Sequence, residues 1–460
     1  MVGWVRGMGG VFAAGWLLAG CEKPPPSAAG GGAGLEEARA VAGEGMGAMA
    51  GSRALALGVG QALRAAVAPD GDVLLVADYE RPVSLGGKPL PFERGVSGPH
   101  LLVARVSPEG TPRWTQGWIP TGEGAVRAQV GAIAVAPDGG LMLAGTSAGF
   151  QVDQAWLAEG PFLARLSPEG HLQWARNFPG EGPFTVAALA VEPSSGEVVM
   201  AGDFGGRRDF GGGAHAVPVD RFGAFVARFT SAGVPRWSRR LGGPRGDVSV
   251  RAVAVGGQGE VVVAGGYSGA VNFGGATFAT LLPRSPYVLK LSAAGDHHWS
   301  HDVPGAEGTA QAVALGPDRV FVAGTYTGRF FFQNGTFQSD WQDGFLVAYA
   351  EEGQSRWARS FAASATALAT DGAGQVLVTG EHDGGSDWGP GGGAGLYVSK
   401  LLPEDGASVW SRGFTGTGAP RASTLGVDAT GHAVVAGSLV QAQGTGHLPS
   451  REGFVLRLRP

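Results

Sequence analysis

The segment Phe162-Leu-Ala-Arg-Leu-Ser-Pro-Glu-Gly-His-Leu-Gln-Trp174 decides the fold of this chain, because its pattern returns along most of the sequence. An apolar strand begins at a large residue, a Ser/Pro/Gly turn follows, and a second strand carries a tryptophan twelve residues after the first position. Spacing that is kept while other loops vary indicates one structural unit repeated in tandem. The six pairs are Leu102 and Trp114, Phe162 and Trp174, Phe225 and Trp237, Tyr287 and Trp299, Phe345 and Trp357, and, with one residue more, Tyr397 and Trp410.

Each copy also contains an earlier pair of strands. A short apolar strand ends at a turn such as Pro137-Asp138-Gly139, and a β-branched strand follows that closes with a small pair, as in Val263-Ala264-Gly265. Proline and glycine at these positions favour a type I turn. From tryptophan to tryptophan the copies span 60, 63, 62, 58 and 53 residues. Four antiparallel strands with their turns need about 40 to 50 residues, so each copy predicts one four-stranded blade with a long loop.

The two ends of the repeated region complement each other. Seven copies lie between Ala62 and Pro460, and the last ends at Phe454–Pro460 without a fourth strand. The segment Arg53–Gly58 resembles Trp237–Leu241, which is a fourth strand elsewhere. The sequence therefore predicts an all-β, seven-bladed β-propeller of four-stranded antiparallel blades, closed by pairing of its N- and C-terminal strands. An open β-solenoid would repeat every 20 to 30 residues or so, and two β-sandwiches would not repeat.

The composition fits a large β-protein that is not specialised for binding a highly charged partner. Of 460 residues 83 are glycine, and these glycines stand at fixed places in the repeat, where they end strands or form turns. A net charge of −5 indicates no general attraction to nucleic acid or anionic lipid. We expect a monomer.

The N-terminal segment predicts a lipid anchor. Cys21 is the only cysteine, and it follows Arg6 and an apolar run from Val11 to Leu18 that is too short to span a membrane. Leu18-Ala-Gly-Cys21 resembles the lipobox of bacterial lipoproteins, which implies cleavage before Cys21 and lipidation of its thiol. We expect a signal peptide over residues 1–21, a flexible Pro/Gly/Ala-rich tether over 22–51 and the propeller over 52–460. The alternative is an ordinary secretory signal with a chance cysteine.

The repeats resemble a known family, the bacterial SBBP β-propeller repeat of secreted and surface lipoproteins from myxobacteria and their relatives. The resemblance covers residues 62–460 and rests on Asn272-Phe-Gly-Gly275, Phe225-Val-Ala-Arg-Phe229 and Trp237-Ser-Arg239. The aspartate that the family places two residues before the third-strand aromatic is kept here only as Asp343. Its replacements are Gly160, Gly223, Ser285 and Gly395. The family implies a propeller and an envelope location, and no common activity.

Several clusters could carry chemistry. His297, His298 and His301 are the densest group of metal-ligating residues, but adjacent strand residues point to opposite faces. Asp340 and Asp343 flank Trp341 without the string of oxygen ligands that calcium requires. Glycine runs such as residues 391–393 lack the strand–helix setting of a phosphate loop. We therefore expect no catalytic residue, no metal and no cofactor.

A column of basic residues recurs in the third strand: Arg105, Arg165, Arg228, Lys290, Lys400 and Arg457, interrupted only by Ala348. Closed into a ring, these cations are candidates to bind an anionic glycan or phosphate at the central channel. The alternative is that each serves its own repeat by pairing with a turn carboxylate or a carbonyl. The tryptophan column is likewise expected to pack between blades rather than to stack on sugars.

These observations favour a lipid-anchored protein of the cell envelope, on the periplasmic or surface face of the outer membrane. Its propeller is expected to be a non-catalytic binding or scaffolding module for a protein or polysaccharide ligand. The alternatives are a scaffold for outer-membrane protein assembly, or a propeller enzyme such as a quinone-dependent dehydrogenase or polysaccharide lyase.

Overall fold

The computed structural model is all-β over the residues it describes and forms a seven-bladed β-propeller, as the repeat predicts. Among the described residues no helix is long and apolar enough to cross a membrane. The described ranges are 53–55, 63–80, 82–85, 88–96, 99–108, 110–121, 129–152, 155–218, 221–243, 245–303, 305–384, 395–415, 419–441 and 450–459.

Each blade is a four-stranded antiparallel sheet whose strands follow one another in chain order, except in blade 7. Blades 1 to 4 comprise Arg64–Val67, Val73–Tyr79, His100–Val106 and Pro112–Trp118; Gln129–Val135, Leu141–Ser147, Gly160–Leu166 and Leu172–Asn177; Phe184–Val191, Val198–Phe204, Gly223–Phe229 and Pro235–Leu241; Arg245–Val255, Val261–Asn272, Thr277–Leu291 and His297–Asp302. Blades 5 to 7 comprise Ala306–Leu315, Arg319–Phe332, Gly335–Ala350 and Ser355–Phe361; Ala367–Thr370, Val376–His382, Gly395–Leu401 and Ser408–Thr415; Ala419–Val427, Ala433–Gln441, Ser450–Leu458 and Arg53–Leu55.

The connections between strands define two ends of the propeller. Because each blade is an antiparallel meander, the turns after the first and third strands lie at one end, which we call the turn end. The connections between second and third strands lie at the opposite, loop end. In blades 1 to 3 these connections form short hairpins: Ser84–Leu85 with Lys88–Pro89, Phe150–Val152 with Ala155–Leu157, and Arg207–Asp209 with Ala214–Ala216. In blades 4 and 5 the second and third strands themselves extend into a long hairpin.

The ring is closed at blade 7, which confirms the expected use of both chain ends. Arg53 lies opposite Val455 and Leu55 opposite Gly453 in an antiparallel pair. The first strands contact one another from blade to blade around the ring, including blade 7 with blade 1. At that junction the Thr424 hydroxyl donates to the Ala65 carbonyl at 2.8 Å.

The core lies between neighbouring blades. In the second and third strands consecutive residues are buried, as in Val73–Ala77 and Gly223–Phe229, because both faces of a blade are covered. Burial of both faces explains the unbroken apolar character of these strands. The fourth strands differ, since they form the outer wall and most of their residues are half-buried, as in Pro235–Leu241.

The Phe-Gly-Gly motif of blades 3 and 4 fixes the loop-end connection to the blade face. Phe210 stacks on Phe225 with 4.1 Å between ring centroids, and Phe273 stacks on Tyr287 at 4.7 Å. Gly211 has φ of 92°, and a Cβ there would lie 2.1 Å from Pro235. The glycine is thus required both for the turn and for the close approach.

Candidate functional site

The basic column and the tryptophan column form one feature of the structure. Five of the six third-strand cations lie directly opposite the tryptophan of their own blade, as Arg165 opposite Trp174 and Arg228 opposite Trp237. Arg457 is the sixth, and the fourth strand of its blade, Arg53–Leu55, has no tryptophan. Directly opposed residues of an antiparallel pair share a face of the sheet. Both side chains therefore point toward the same neighbouring blade at the turn end.

All six basic residues form ion pairs with carboxylates of the turns. Five of them use the turn between the first and second strands of their own blade, and Lys290 uses the third–fourth turn of the next blade. The pairs are Arg105 with Asp70 and Asp72 (2.6 and 2.7 Å), Arg165 with Asp138 (2.6 Å), Arg228 with Glu192 and Glu197, Lys290 with Glu351 (3.4 Å), Lys400 with Asp371 (2.8 Å) and Arg457 with Asp428. This is the arrangement expected if each basic residue stabilises its own repeat by pairing with a turn carboxylate. Ligand binding by them stays a prediction, and a ligand would have to displace these carboxylates.

The tryptophans connect each blade to the next. In five of the six blades with a repeat tryptophan, the indole N–H donates to a backbone carbonyl in the third–fourth turn of the following blade. The bonds are Trp114 to Pro168 (2.7 Å), Trp174 to Ser231 (3.1 Å), Trp237 to Ala293 (2.9 Å), Trp299 to Glu351 (2.8 Å) and Trp357 to Pro403 (2.8 Å). The cation often shares the acceptor, as Arg165 does with the Ser231 carbonyl at 3.0 Å. We call this set of tryptophan, cation and acceptor turn the inter-blade latch.

A turn glycine completes the inter-blade latch. A Cβ on Gly295 would lie 3.0 Å from the Trp237 ring, and one on Gly233 would lie 2.8 Å from the Trp174 ring. Both glycines have positive φ, 83° and 75°. The indole thus packs flat against a backbone that only glycine leaves uncovered.

Blade 5 keeps the inter-blade latch with a residue from another strand. Ala348 interrupts the basic column, and Arg319 from the start of the second strand donates to the Pro403 carbonyl at 2.6 Å instead. Trp357 donates to the same oxygen. Arg319 therefore takes the place of the missing third-strand cation. An alignment of the third strands would not show this, because Arg319 belongs to the second strand.

Trp410 is the exception among the six, and closure of the ring explains why. Its latch would need a third–fourth turn in blade 7, but the fourth strand of that blade comes from the N-terminus. Within the part of the chain that the structure describes, the Trp410 indole nitrogen is buried without a hydrogen-bond partner.

We expect Trp237→Ala to lower the free energy of unfolding by roughly 2 kcal/mol. The indole is half-buried, so the loss falls below the 3 to 5 kcal/mol of a fully buried tryptophan, and one hydrogen bond is lost as well. Chemical denaturation measures the difference. Trp156→Ala is the matched control, because Trp156 is 57% exposed and should cost less than about 0.5 kcal/mol. Equal effects of the two substitutions would contradict a role for Trp237 in holding blades together.

The histidine cluster is used within the fold. His297 shares a hydrogen bond of 3.0 Å with the Ser300 hydroxyl, and His301 one of 2.7 Å with the Gly353 carbonyl of the next blade. His298 is the extra residue of a β-bulge between His297 and Trp299, so simple alternation of faces does not hold there. Among the described residues, no group of three His, Cys, Asp or Glu side chains could hold a metal ion.

A cavity of about 500 Å³ opens at the loop end between blades 5 and 6. Trp341 stands at its edge with 82% of its surface exposed. The polar side chains of the lining are Gln342, Asp343, Ser364, Glu381, His382 and Asp383. Three of these lining groups are carboxyl groups, and Arg421 interacts electrostatically with one of them, Glu381.

The cavity exists where blade 6 departs from the repeat. His382 holds the position of Tyr79, Tyr267 and Tyr326 in other blades, and Gly395 opposite it holds the position of Asp343. A Cβ on Gly395 would lie 3.0 Å from His382 Nε2. His382 is thus the residue by which blade 6 departs here, since glycine also holds the position of Gly395 in blades 2 and 3.

His382 and Glu381 are the unusual groups of this cavity. His382 is 9% exposed, and within the described structure neither of its ring nitrogens has a hydrogen-bond partner. Burial raises the pKa of Glu381, and Arg421 partly offsets that rise. Buried polar groups are normally paired, so the unpartnered ring of His382 makes this cavity a candidate ligand site.

Another cavity, of about 680 Å³, lies between blades 3 and 4, but its polar groups are used within the protein. His215 bonds to the Ser238 hydroxyl, Arg240 donates to the Ala216 carbonyl, and Arg239 pairs with Asp296. The cavity between blades 5 and 6 is therefore the better candidate for a binding site.

Sequence reasoning missed Glu381 and His382, although a signal was present. The residue after the small pair that closes the second strand is Thr146, Gly266 or Thr325 in blades 2, 4 and 5, and an acid in three others: Asp78, Asp203 and Glu381. Burial raises the pKa of Asp203 as well. Comparing the copies for departures rather than for agreement would have drawn attention to these carboxylates. Cys21 and residues 391–393 lie outside the described residues.

Comparison with known proteins finds only distant structural likenesses. The sequence matches no protein-family model and no curated protein. A quinohemoprotein alcohol dehydrogenase from Pseudomonas putida is similar in structure, with 10% identity, coverage of 88% of this chain and 76% of that one, and a TM-score of 0.39. A protein of unknown function from Dyadobacter fermentans shows 10% identity, 87% and 95% coverage and a TM-score of 0.43. An apocarotenoid oxygenase from Synechocystis shows 10% identity, coverage of 89% of this chain and 94% of that one, and a TM-score of 0.44. Likenesses this distant assign no activity.

Proposed function

We propose that this protein is a lipid-anchored envelope protein whose propeller binds a glycan without chemical conversion, at the cavity between blades 5 and 6. The observation that carries the proposal is the exposed indole of Trp341 beside a polar cavity at the place where the repeat is broken. An exposed aromatic face next to carboxylate, amide and imidazole groups is suited to a sugar ring, since it covers the apolar face while polar groups meet the hydroxyls.

The position of the cavity agrees with a lipid anchor near the N-terminus. The fourth strand of blade 7 runs from Arg53, opposite Val455, to Leu55, opposite Gly453, and thus from the turn end toward the loop end. The chain enters the propeller at the turn end, and the cavity opens at the loop end. The resemblance to SBBP-type lipoproteins favours an envelope location.

Capture of ligands from envelope extracts tests the binding function. The full-length protein in detergent should retain a glycan, and Trp341→Ala should lose most of it, because the stacking surface is gone. Trp156→Ala, an equally drastic change at an exposed loop-end residue of blade 2, should retain it. Equal capture by the two variants would contradict the assigned site, and capture of a protein through Trp341 would replace the glycan as ligand.

Lipidation is tested separately. Cys21→Ser removes the only thiol, so it should abolish incorporation of labelled palmitate and leave the precursor uncleaved. Gel mobility and radiolabel of cells expressing each form measure both effects. Labelling of the serine variant at the level of the original protein would rule out the anchor.

A further inference from the structure

We infer that blade 7 is the part of the propeller that opens first, its outer strands separating from blades 6 and 1 while the rest of the ring stays closed. The inference concerns the stability of the ring and does not depend on the ligand proposed above. It follows from comparing the seven seams, that is, the contacts between one blade and the next.

The five seams from blade 1 to blade 6 are each crossed by two side-chain donors at the turn end. One is the indole of the inter-blade latch, and the other is a basic side chain beside it. The basic donors and their backbone acceptors are Arg105 to Gly139 (3.2 Å), Arg165 to Ser231 (3.0 Å), Arg228 to Gly259, Lys290 to Glu351 (3.1 Å) and Arg319 to Pro403 (2.6 Å).

The seam between blades 6 and 7 lacks both donors. In the described part of the chain the Trp410 indole nitrogen is buried without a partner. Lys400, the basic residue of blade 6, pairs with Asp371 of its own blade at 2.8 Å. The two blades share an apolar cluster that includes Leu396 and Leu425, but no indole or basic side chain bonds across it at the turn end.

The seam between blades 7 and 1 lacks the same two donors. Arg53 aligns with Arg239 of blade 3, because each lies opposite the valine that follows the third-strand phenylalanine. Two residues earlier, where blade 3 has Trp237, the sequence has Gly51. Arg457 pairs with a carboxylate of its own blade. Blade 7 therefore has no inter-blade latch on either side.

Two hydrogen bonds do cross from blade 7 to blade 1, and both lie on the inner side of the ring. The Thr424 hydroxyl donates to the Ala65 carbonyl at 2.8 Å, and the Ala429 N–H donates to the Pro69 carbonyl at 2.9 Å. Their donors belong to the first strand of blade 7 and the turn after it. The two outer strands of this blade are therefore released at the lowest cost, since local opening follows the contacts that hold least.

The opening has a consequence for an anchored protein, and this consequence rests on the lipid anchor proposed above. The fourth strand of blade 7 begins at Arg53, so the predicted tether joins the propeller at this blade. A pull on the tether acts first on the pair of Arg53 and Val455 and then along the strand toward Leu55. Tension on the anchor thus reaches the blade that opens first.

Hydrogen exchange of the full-length protein in detergent, read by mass spectrometry of its peptides, tests the inference. We expect the amides of residues 454–458 to exchange at least about tenfold faster than those of residues 225–229, the equivalent strand of blade 3. A seam with one or two hydrogen bonds fewer opens more often by about this factor. Equal exchange in the third strands of all seven blades would overturn the inference, and so would fastest exchange in any other blade.

Two phenylalanine substitutions form a matched pair. Trp174→Phe removes an indole N–H that donates to the Ser231 carbonyl, so it should speed exchange in blades 2 and 3 by about fivefold. Trp410→Phe removes an N–H without a partner and should leave exchange in blade 7 unchanged. Faster exchange of blade 7 in Trp410→Phe would show that this indole holds the seam, and would contradict the inference.

A third substitution should close a seam. Gly51→Trp supplies the missing indole beside blade 1, where Pro108 holds the sequence position of the acceptor Pro168, and should slow exchange of residues 454–458 by about fivefold. Ser52→Trp is the control, because neighbouring strand residues point to opposite faces. Melting shows that each variant is folded. No difference between these two variants would refute the link between the missing latch and the opening of blade 7.

Discussion

A protein lacking residues 1–60 should aggregate or melt well below the intact protein, whereas one lacking residues 1–51 should melt like it. The longer deletion removes Arg53–Leu55, which pairs with the third strand of blade 7. Each backbone hydrogen bond lost there costs about 1 kcal/mol. The larger effect is the exposed strand edge, which is a template for pairing with another chain.

Thermal melting and size-exclusion chromatography of the two truncated proteins measure this difference. Comparing them with each other isolates the strand, since both lack residues 1–51. The third strand that would be exposed carries buried side chains, with Phe454 and Leu456 each 1% exposed, so its edge is apolar as well as unpaired. A protein lacking residues 1–60 that stays monomeric and keeps its melting temperature would refute closure by the N-terminal strand.

Glu192→Ala should cost about 3 to 5 kcal/mol of folding free energy, because it leaves a buried guanidinium short of a partner. Arg228 is 4% exposed and Glu192 7%. Arg228 would retain Glu197 at 2.7 Å, a carboxylate that it shares with Arg236. The hydroxyls of Ser194 and Ser195, which donate to Glu192, would lose their acceptor as well.

Two comparisons make the Glu192 result interpretable. Asp296→Ala breaks the Arg239–Asp296 pair, whose side chains are 43% and 73% exposed, and should cost no more than about 1 kcal/mol. The double variant Glu192→Ala/Arg228→Met removes both charges and should recover much of the loss. Denaturant unfolding provides the values. Similar costs for Glu192→Ala and Asp296→Ala would show that Arg228 is open to water.

The sequence predicted the fold because every blade is built from local contacts. The twelve-residue spacing from Phe225 to Trp237 contains a strand, a turn and the next strand, which pair with each other directly. A glycine at the turn and an apolar strand on either side suffice to specify such a hairpin. Closure was also predictable, since the strand absent after Phe454–Pro460 is the one present at Arg53.

The role of the basic column was not predictable from one strand. Arg228 meets Glu192 and Glu197 from the first–second turn, and it donates to the Gly259 carbonyl of the next blade. The sequence pattern of the third strand is equally compatible with a ring of free cations. Only the packing of the blades decides that these side chains have partners, because those partners come from other segments of the chain.

For this protein the sequence by itself determined the blade and the number of blades, since these follow from residues near one another in the chain. It also determined the way the ring closes, because the fourth strand that blade 7 lacks at one end of the repeats is present at the other. The tertiary structure decided which departures from the repeat meet in space. Asp343, Glu381 and His382 belong to two blades, and they line one cavity only because blade 6 packs against blade 5 with Gly395 opposite His382. A cavity of this kind depends on contacts between repeats, which the pattern within a repeat does not specify.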